Sequence, residues 1–367
     1  MVYRVNIKGY DDKGLGIAYL GRKKIKIQNA IAGEEVEAIK AYKKTFLATK
    51  IIKASKYRVL PKCQFFNRCG GCKWQHIGYE HQLEIKNEII EKLFRDLTDN
   101  IQRIEGSPRI FAYRNKMEFS FGLDRNNIAL GLKEIDSSDK VVDIDYCYLQ
   151  TKKANEALKR TKEVVKKQML EPYNRMSNIG FLRYLVIREG FYTGDLMVII
   201  ITTSNQIFPL KEFSRYVDAT SYIWAINDNP SDVAIGKIEK IMGKEFLKEK
   251  IDKKTFLIHP FSFFQTNTMQ AEKMFTYAKK LIDGEVALDL YSGVGTISII
   301  LSERFDKIIG IEVDENAVKL AQKNAEINDI KNTKFFQGRV EEKLREIKER
   351  IDIVILDPPR AGAHAVS

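Results

Sequence analysis

One strand-loop-helix run narrows what this chain can fold into more than any other feature. Val286-Ala287-Leu288-Asp289-Leu290 reads as an apolar strand ending in an acid, and it runs straight into Tyr291-Ser292-Gly293-Val294-Gly295-Thr296. Gly293 and Gly295 let the backbone turn and pass close to a bound ligand with no Cβ in the way. Around this run, helical and strand patterns alternate at even spacing, over 269–282, 286–290, 297–301, 307–311, 315–327, 334–336, 340–349 and 351–356. That rhythm marks a parallel sheet covered by helices. Ile308-Ile309-Gly310-Ile311 ends in Glu312, about 20 residues beyond the loop, where a Rossmann-type site sets a carboxylate on ribose hydroxyls. A nucleoside cofactor is implied.

A nicotinamide dinucleotide is the obvious competitor. The third glycine of G-x-G-x-x-G is missing, however, and Ser298 stands in its place. The close helix approach that a pyrophosphate needs is therefore not provided. S-adenosylmethionine, which has no phosphates, fits better. The fourth strand ends in Asp357-Pro358-Pro359-Arg360, at the carboxyl edge where open α/β sheets bind ligands. Asp-Pro-Pro at that place is a methyltransferase feature. Enzymes that methylate exocyclic amines follow the prolines with an aromatic residue; Arg360 stands here instead, which suits methylation of carbon.

With 367 residues the chain has room for two or three domains, each with its own core. Short alternating runs separated by glycines, at 3–7, 14–17, 24–27, 34–39 and 46–52, predict a five-stranded barrel. An OB-like module that binds RNA has this size, and so does an SH3-like barrel with no ligand. A helix is predicted over 79–97, with an apolar stripe of Leu83, Ile85, Ile89, Ile90, Leu93 and Phe94. From 113 to 260, predicted strands at 117–121, 182–188, 196–202, 222–227 and 256–259, with a helix over 151–169, point to an α+β domain with a largely antiparallel sheet. The whole is thus a multidomain α/β protein, with boundaries expected at 1–56, 57–262 and 263–367. No stretch approaches the roughly 18 apolar residues of a membrane span. The start, Met1-Val2-Tyr3-Arg4, lacks the apolar stretch of a secretory signal, so a cytoplasmic protein is expected. A net charge of +12 favours a polyanionic partner such as RNA, although a lysine-rich composition accounts for it equally well.

The four cysteines are Cys63, Cys69, Cys72 and Cys147. Three closely spaced thiolates can wrap one face of a metal centre while a distant fourth closes it, and either a [4Fe–4S] cluster or zinc satisfies that chemistry. Disulfides are disfavoured in a cytosolic chain. The cysteine pattern belongs to an ordered set of motifs: Cys69-Gly70-Gly71-Cys72-Lys73-Trp74-Gln75-His76, then Tyr113-Arg114-Asn115-Lys116-Met117-Glu118-Phe119, Cys147, Phe263-Phe264-Gln265-Thr266-Asn267, the loop from Asp289 to Gly295, Gly310-Ile311-Glu312, and Asp357-Pro358-Pro359-Arg360-Ala361-Gly362. In this order the chain resembles the RNA uracil-5-methyltransferases, and within them the bacterial 23S rRNA branch that carries a [4Fe–4S] cluster.

The resemblance implies an N-terminal TRAM-type barrel, a cluster-bearing middle domain and a Rossmann-like domain, in a monomer acting on ribosomal RNA. A tRNA-directed relative is the alternative. By matching motifs, Gln265, Tyr291, Thr296, Glu312 and Asp357 are similar to cofactor contacts, beside Asp289, Gly293 and Gly295 of the loop. Phe263 is similar to a residue that stacks near the target base, while Arg114 and Lys116 resemble RNA-backbone contacts or form a solvated basic turn. The family adds a cysteine thiolate to uracil C6 and later removes the C5 proton with a glutamate. Both groups are expected beyond Ser367, so no nucleophile or base is assigned, and a truncated, inactive chain with an exposed apolar strand at 351–356 is expected. Arg339 departs from the family's Asp or Asn beside the adenine.

Overall fold

Apolar residues at every second position, broken by glycine turns, set the first fifty residues as strands. The computed structural model describes residues 1–42, 45–124, 127–358 and 362. Pro359, Arg360 and Ala361 of the expected Asp-Pro-Pro-Arg motif lie outside the described residues, as do 363–367. The chain gathers into two compact units, one of residues 1–110 with 120–148, the other of 111–119 with 149–367.

In the first unit, β1 (Val2–Asn6), β2 (Gly9–Tyr10), β3 (Gly16–Leu20), β4 (Lys23–Gln28), β5 (Glu35–Tyr42) and β6 (Thr45–Lys53) form one sheet in the order β1-β5-β6-β4-β3-β2. Only the β4/β6 pair is parallel. The inward set Val5, Ala18, Ile25, Ile27, Val36, Ala38, Phe46 and Ala48 makes its core. Five of these strands follow the alternation in the sequence. The sixth, β2, is a two-residue arm that pairs with β3 and is too short to leave a periodic signal. Glu34 is fully buried beside β5 and accepts from Arg58 Nε and Nη2 at 2.6 and 2.8 Å, anchoring the segment that leaves the sheet. Helix α1 (Tyr79–Phe94) buries Ile85 against Ile31 and Ile77. Strand β7 (Lys116–Asp124) begins in the second unit and ends in the first, where it pairs with β8 (Asn127–Lys133), which in turn pairs with β9 (Val141–Asp143).

The second unit opens with α2 (Lys152–Lys167), capped by Thr151, whose hydroxyl accepts from Ala154 N–H. Strand β10 (Leu182–Glu189) is buried on both faces as far as Arg188 although it carries Arg183 and Arg188 among its apolar residues, and β11 (Leu196–Thr202), apolar as far as Ile201, is buried on both faces. After the short α3 (Leu210–Phe213) come β12 (Ser221–Ile226) and β13 (Lys237–Gly243). The β10/β11 and β12/β13 pairs are antiparallel and β11/β12 is parallel. Largely antiparallel pairing is as expected, but β13 alternates too weakly to be foreseen, because most of its residues stay in contact with water. A hairpin of β14 (Leu247–Ile251) and β15 (Lys254–Ile258) follows, then α4 (Thr268–Leu281).

The last third supplies β16 (Gly284–Leu290), α5 (Thr296–Leu301), β17 (Phe305–Glu312), α6 (Glu315–Ile327), β18 (Thr333–Gln337), α7 (Val340–Lys343) and β19 (Ile353–Leu356). Its four strands are all parallel, in the order β18-β17-β16-β19. The helix expected over 340–349 is a single turn; Leu344 and Ile347 still reach the core of this sheet from irregular backbone. At the outside of the sheet, Val354 and Leu356 of β19 are exposed. No helix among the described residues is long and apolar enough to cross a membrane.

Candidate cofactor site

The strand order reverses at β16: the chain moves outward through β17 to β18, then returns to place β19 on the other side. At such a switch point the loops on either side part and leave a crevice beyond the carboxyl ends of the strands. Four residues singled out from the sequence sit at these ends. Asp289 and Tyr291 close β16, Glu312 closes β17, and Asp357 follows β19.

The loop after β16 needs left-handed backbone at Tyr291, Gly293 and Gly295, with φ of 63°, 54° and 77°. For the two glycines this is a ready conformation; for Tyr291 it is uncommon strain of the kind found where a loop must approach a ligand. Gly295 is doubly constrained, since a Cβ there would stand 2.8 Å from Phe335 Cζ and 3.0 Å from Ala321 Cβ. Gly295→Ala should therefore cost about 2–4 kcal/mol of stability, from positive φ plus overpacking, read as a lower urea midpoint. An unchanged midpoint would show that the loop can rearrange freely. Gly293 has open space around the position of a Cβ, so its side of the turn faces the crevice. Thr296 begins α5 immediately after Gly295 and is half-buried.

The electrostatics centre on Asp289. It is completely buried, and its Oδ2 accepts from Ser298 Oγ at 2.6 Å. Burial raises its pKa to about 7; the Ser298 hydrogen bonds oppose this, and the negative charges of Asp357 and Glu312 add to it. Asp289 thus feels the charges of both neighbouring strand ends. Among the described residues, Asp289 Oδ1 and Ser292 Oγ have no hydrogen-bond partner although both are buried. Orphaned acceptors at a crevice of like charges are suited to a ligand carrying positive charge and hydrogen-bond donors. Glu312 ties the loops together: Oε2 accepts from Gly293 N–H at 2.9 Å, and Oε1 from the N–H groups of Val313 and Asp314 at 2.7 and 2.9 Å.

Gln265 and Phe263 arrive on the segment between β15 and α4. Phe264 between them shares a buried core with Val294 of the glycine loop, which sets this segment against the site. The Gln265 carbonyl accepts from Asn115 Nδ2 at 2.8 Å. Phe263 is 71% exposed, an aromatic face left in water beside a packed neighbour. The two proposed RNA contacts differ. Lys116 Nζ is 2.6 Å from Glu118 Oε1, so its charge is already paired, while Arg114 is half-buried with its N–H on Leu149 O at 2.8 Å. Arg339 is exposed at the start of α7, near Glu341 at 3.9 Å.

The cysteines belong to the first unit. Cys69 Sγ accepts from Gly71 N–H at 3.4 Å and Cys72 Sγ from the Gln75 amide at 3.2 Å, while Cys147 is buried. Burial pushes the Cys69 thiol up, against the Gly71 hydrogen bond, and the negative charges of Cys72 and Cys63 push the same way. Among the described residues no group of three or more His, Cys, Asp or Glu side chains is placed to hold a metal ion. The expectation of a [4Fe–4S] cluster on Cys63, Cys69, Cys72 and Cys147 therefore gains no support from the described residues.

Several residues that build the site escape a reading by motif. Asn324 is buried on α6; its Oδ1 accepts from Leu257 N–H at 2.7 Å and its Nδ2 donates to Val294 O at 3.1 Å, pinning the loop to β15. Arg188 is buried in β10, and a charge inside the run Leu182-Arg183-Tyr184-Leu185-Val186-Ile187-Arg188 was the available signal, because a buried charge must be offset by specific partners.

Residues 233–365 match the family model described as tRNA (uracil-5-)-methyltransferase. The chain is 38% identical over 364 residues to the tRNA (uracil(54)-C(5))-methyltransferase of Pyrococcus horikoshii, covering 98% of this chain and 84% of that one. It is 35% identical over 382 residues to an uncharacterized RNA methyltransferase of Clostridium tetani, covering 99% and 84%. The crystal structure of the Pyrococcus abyssi tRNA (uracil-54, C5)-methyltransferase in complex with S-adenosyl-L-homocysteine superposes with a TM-score of 0.82 at 34% identity, covering 99% of this chain and 86% of that one. The Pyrococcus relatives are named for tRNA, and the expectation of a 23S rRNA branch gains no support from them. The expectation of an inactive chain gains no support from matches of this extent. By sequence and by architecture, the chain belongs to the tRNA (uracil-5-)-methyltransferase family, which transfers the methyl group of S-adenosylmethionine to C5 of uracil in RNA.

Proposed function

We propose that this protein methylates C5 of a uridine in tRNA, the one equivalent to position 54. The observation that carries the choice of tRNA is the 38% identity, running through 98% of the chain, to an enzyme named for that nucleotide. S-adenosylmethionine supplies the electrophilic methyl group when bound. In this reading Asp289, Glu312 and Asp357 receive the charge and hydroxyls of the cofactor, Tyr291, Thr296 and Gln265 flank it, and Gly293 and Gly295 let it lie against the backbone.

Uracil C5 is a weak nucleophile, and the chemistry the resemblance implies overcomes this by adding a thiolate to C6, which makes C5 an enolate carbon. Methyl transfer and loss of the C5 proton then expel the thiolate. No cysteine among the described residues is assigned to that step. The uracil must leave its stack to be reached, and Phe263 offers an aromatic face on which an extruded base can rest. The pairing of Lys116 with Glu118 limits its part in holding phosphates.

The test is transfer of labelled methyl groups by the full gene product to a tRNA transcript and to a 23S rRNA fragment. We expect at least tenfold faster incorporation into tRNA, abolished when uridine 54 is changed to cytidine. Faster labelling of the ribosomal fragment would overturn the choice of substrate.

A further inference from the structure

The segment that presents Phe263 and Gln265 has neither strand nor helix of its own between Ile258 and Thr268. Its backbone groups must therefore find partners elsewhere. They do so at two grips. Before Phe263, Nη1 of Arg188 donates to the carbonyls of His259, Pro260 and Ser262 at 2.8, 2.9 and 2.8 Å. After it, Asn115 N–H donates to Thr266 O at 2.8 Å, and Asn115 Nδ2 donates to Gln265 O and Thr268 Oγ1 at 2.8 and 2.9 Å. The grips are joined to each other, because Glu189 N–H, next to Arg188, donates to Asn115 O at 2.8 Å.

Three carbonyl oxygens turned toward one point repel unless a cation occupies it. A guanidinium taken wholly out of water is itself costly, and leucine would fill a strand interior without that cost. Each unfavourable arrangement relieves the other. Burial lowers the Arg188 pKa only to about 10, with Glu118 opposing, so the charge persists at neutral pH. What the pair secures is the course of the backbone on either side of an exposed phenylalanine.

We propose that Arg188 and Asn115 are positioning residues: a two-point clamp that fixes residues 259–268 so that Phe263 is held out toward the substrate uracil and Gln265 toward the cofactor. The functional part of this rests on the roles given above to Phe263 and Gln265; the clamp itself does not. The test combines three measurements on the full chain: hydrogen–deuterium exchange over 259–267, S-adenosylhomocysteine affinity by calorimetry, and affinity for a tRNA transcript. Arg188→Met is expected to speed exchange in that segment at least tenfold, weaken S-adenosylhomocysteine about tenfold and weaken tRNA about fivefold. Arg188→Lys, which keeps the charge but not the planar fork, should recover most of each loss. Asn115→Ala should loosen chiefly the Gln265 end. Phe263→Ala should lower tRNA affinity alone, leaving exchange and S-adenosylhomocysteine binding as they were. If Arg188→Met does not fold, Asn115→Ala carries the same measurements, since Arg188→Lys is expected to stay near the native values. Exchange and S-adenosylhomocysteine affinity within twofold of the native protein in both clamp variants would overturn the proposal. Unchanged tRNA affinity in Phe263→Ala would instead overturn the reading of Phe263, with exchange still deciding the clamp.

Discussion

Asparagine in place of Asp289 is expected to raise the melting temperature at pH 8 while weakening the cofactor. Burial holds the folded-state pKa of Asp289 near 7, above the 3.8 of an unperturbed aspartate. A carboxyl raised in this way contributes stability that is fully present below pH 3.8 and is lost as pH rises through about 7. At pH 8 the native protein holds a buried charge at a cost of up to about 4 kcal/mol, since each tenfold change in acidity is worth about 1.4 kcal/mol. The asparagine oxygen can still accept from Ser298, but its amide leaves buried donors unpaired, which takes back about 1–3 kcal/mol. The net gain at pH 8 should be about 1–3 kcal/mol and should turn into a loss of about 1–3 kcal/mol near pH 4, where Asp289 is itself neutral and only the unpaired amide donors remain. Thermal melts of both proteins across that range check the crossing; parallel curves would show that Asp289 is not the titrating group. The same rise in pKa couples cofactor to protons. A cation beside Asp289 favours its ionised form, so binding near pH 6.5 should release up to one proton, seen as calorimetric heats that differ between phosphate and Tris buffers.

Removal of the Glu312 carboxylate should have the larger effect on binding. Glu312→Ala strips acceptors from three backbone N–H groups, those of Gly293, Val313 and Asp314, as well as the group proposed to meet the ribose. We expect S-adenosylhomocysteine affinity to fall at least a hundredfold, about 3 kcal/mol, with a further loss of about 1–3 kcal/mol in folding stability. Glu312→Gln keeps the shape but turns an amide donor toward one of those N–H groups, so an intermediate loss of about tenfold is expected. Affinity within threefold of the native protein in Glu312→Ala would remove Glu312 from the site.

Much of this site is legible in the chain's own residues, for reasons that differ from one to the next. The strand ending in Asp289, the two glycines and Glu312 are local: each follows from a short span of chain whose conformation is set by its own sequence. Positive φ at Gly295 and the carboxylate on Gly293 N–H are what that pattern requires. The roles of Arg188, Asn115 and Asn324 stay hidden because their work is done on distant backbone. Asn115 meets Gln265 at a separation of 150 residues, and Asn324 meets Leu257 at 67. No local periodicity encodes such a partner. Lys116 shows the converse: its place in a basic turn is visible in the sequence, whereas its ion pair with Glu118, two residues on along the same strand, is a matter of rotamer and geometry. The cysteine spacing likewise states which sulfurs are near in sequence, not whether burial leaves them as ligands.

The interleaving of the two units has a consequence for synthesis. Residues 111–119 belong to the unit completed by 149–367, yet the ribosome delivers Asn115 some 150 residues ahead of the Gln265 carbonyl it must grip. At about 5–20 residues per second that is a wait of roughly 8–30 s. Throughout it, the nascent polypeptide carries one jaw of the clamp with nothing to close on, and no single proteolytic cut could later return either unit as an uninterrupted fragment.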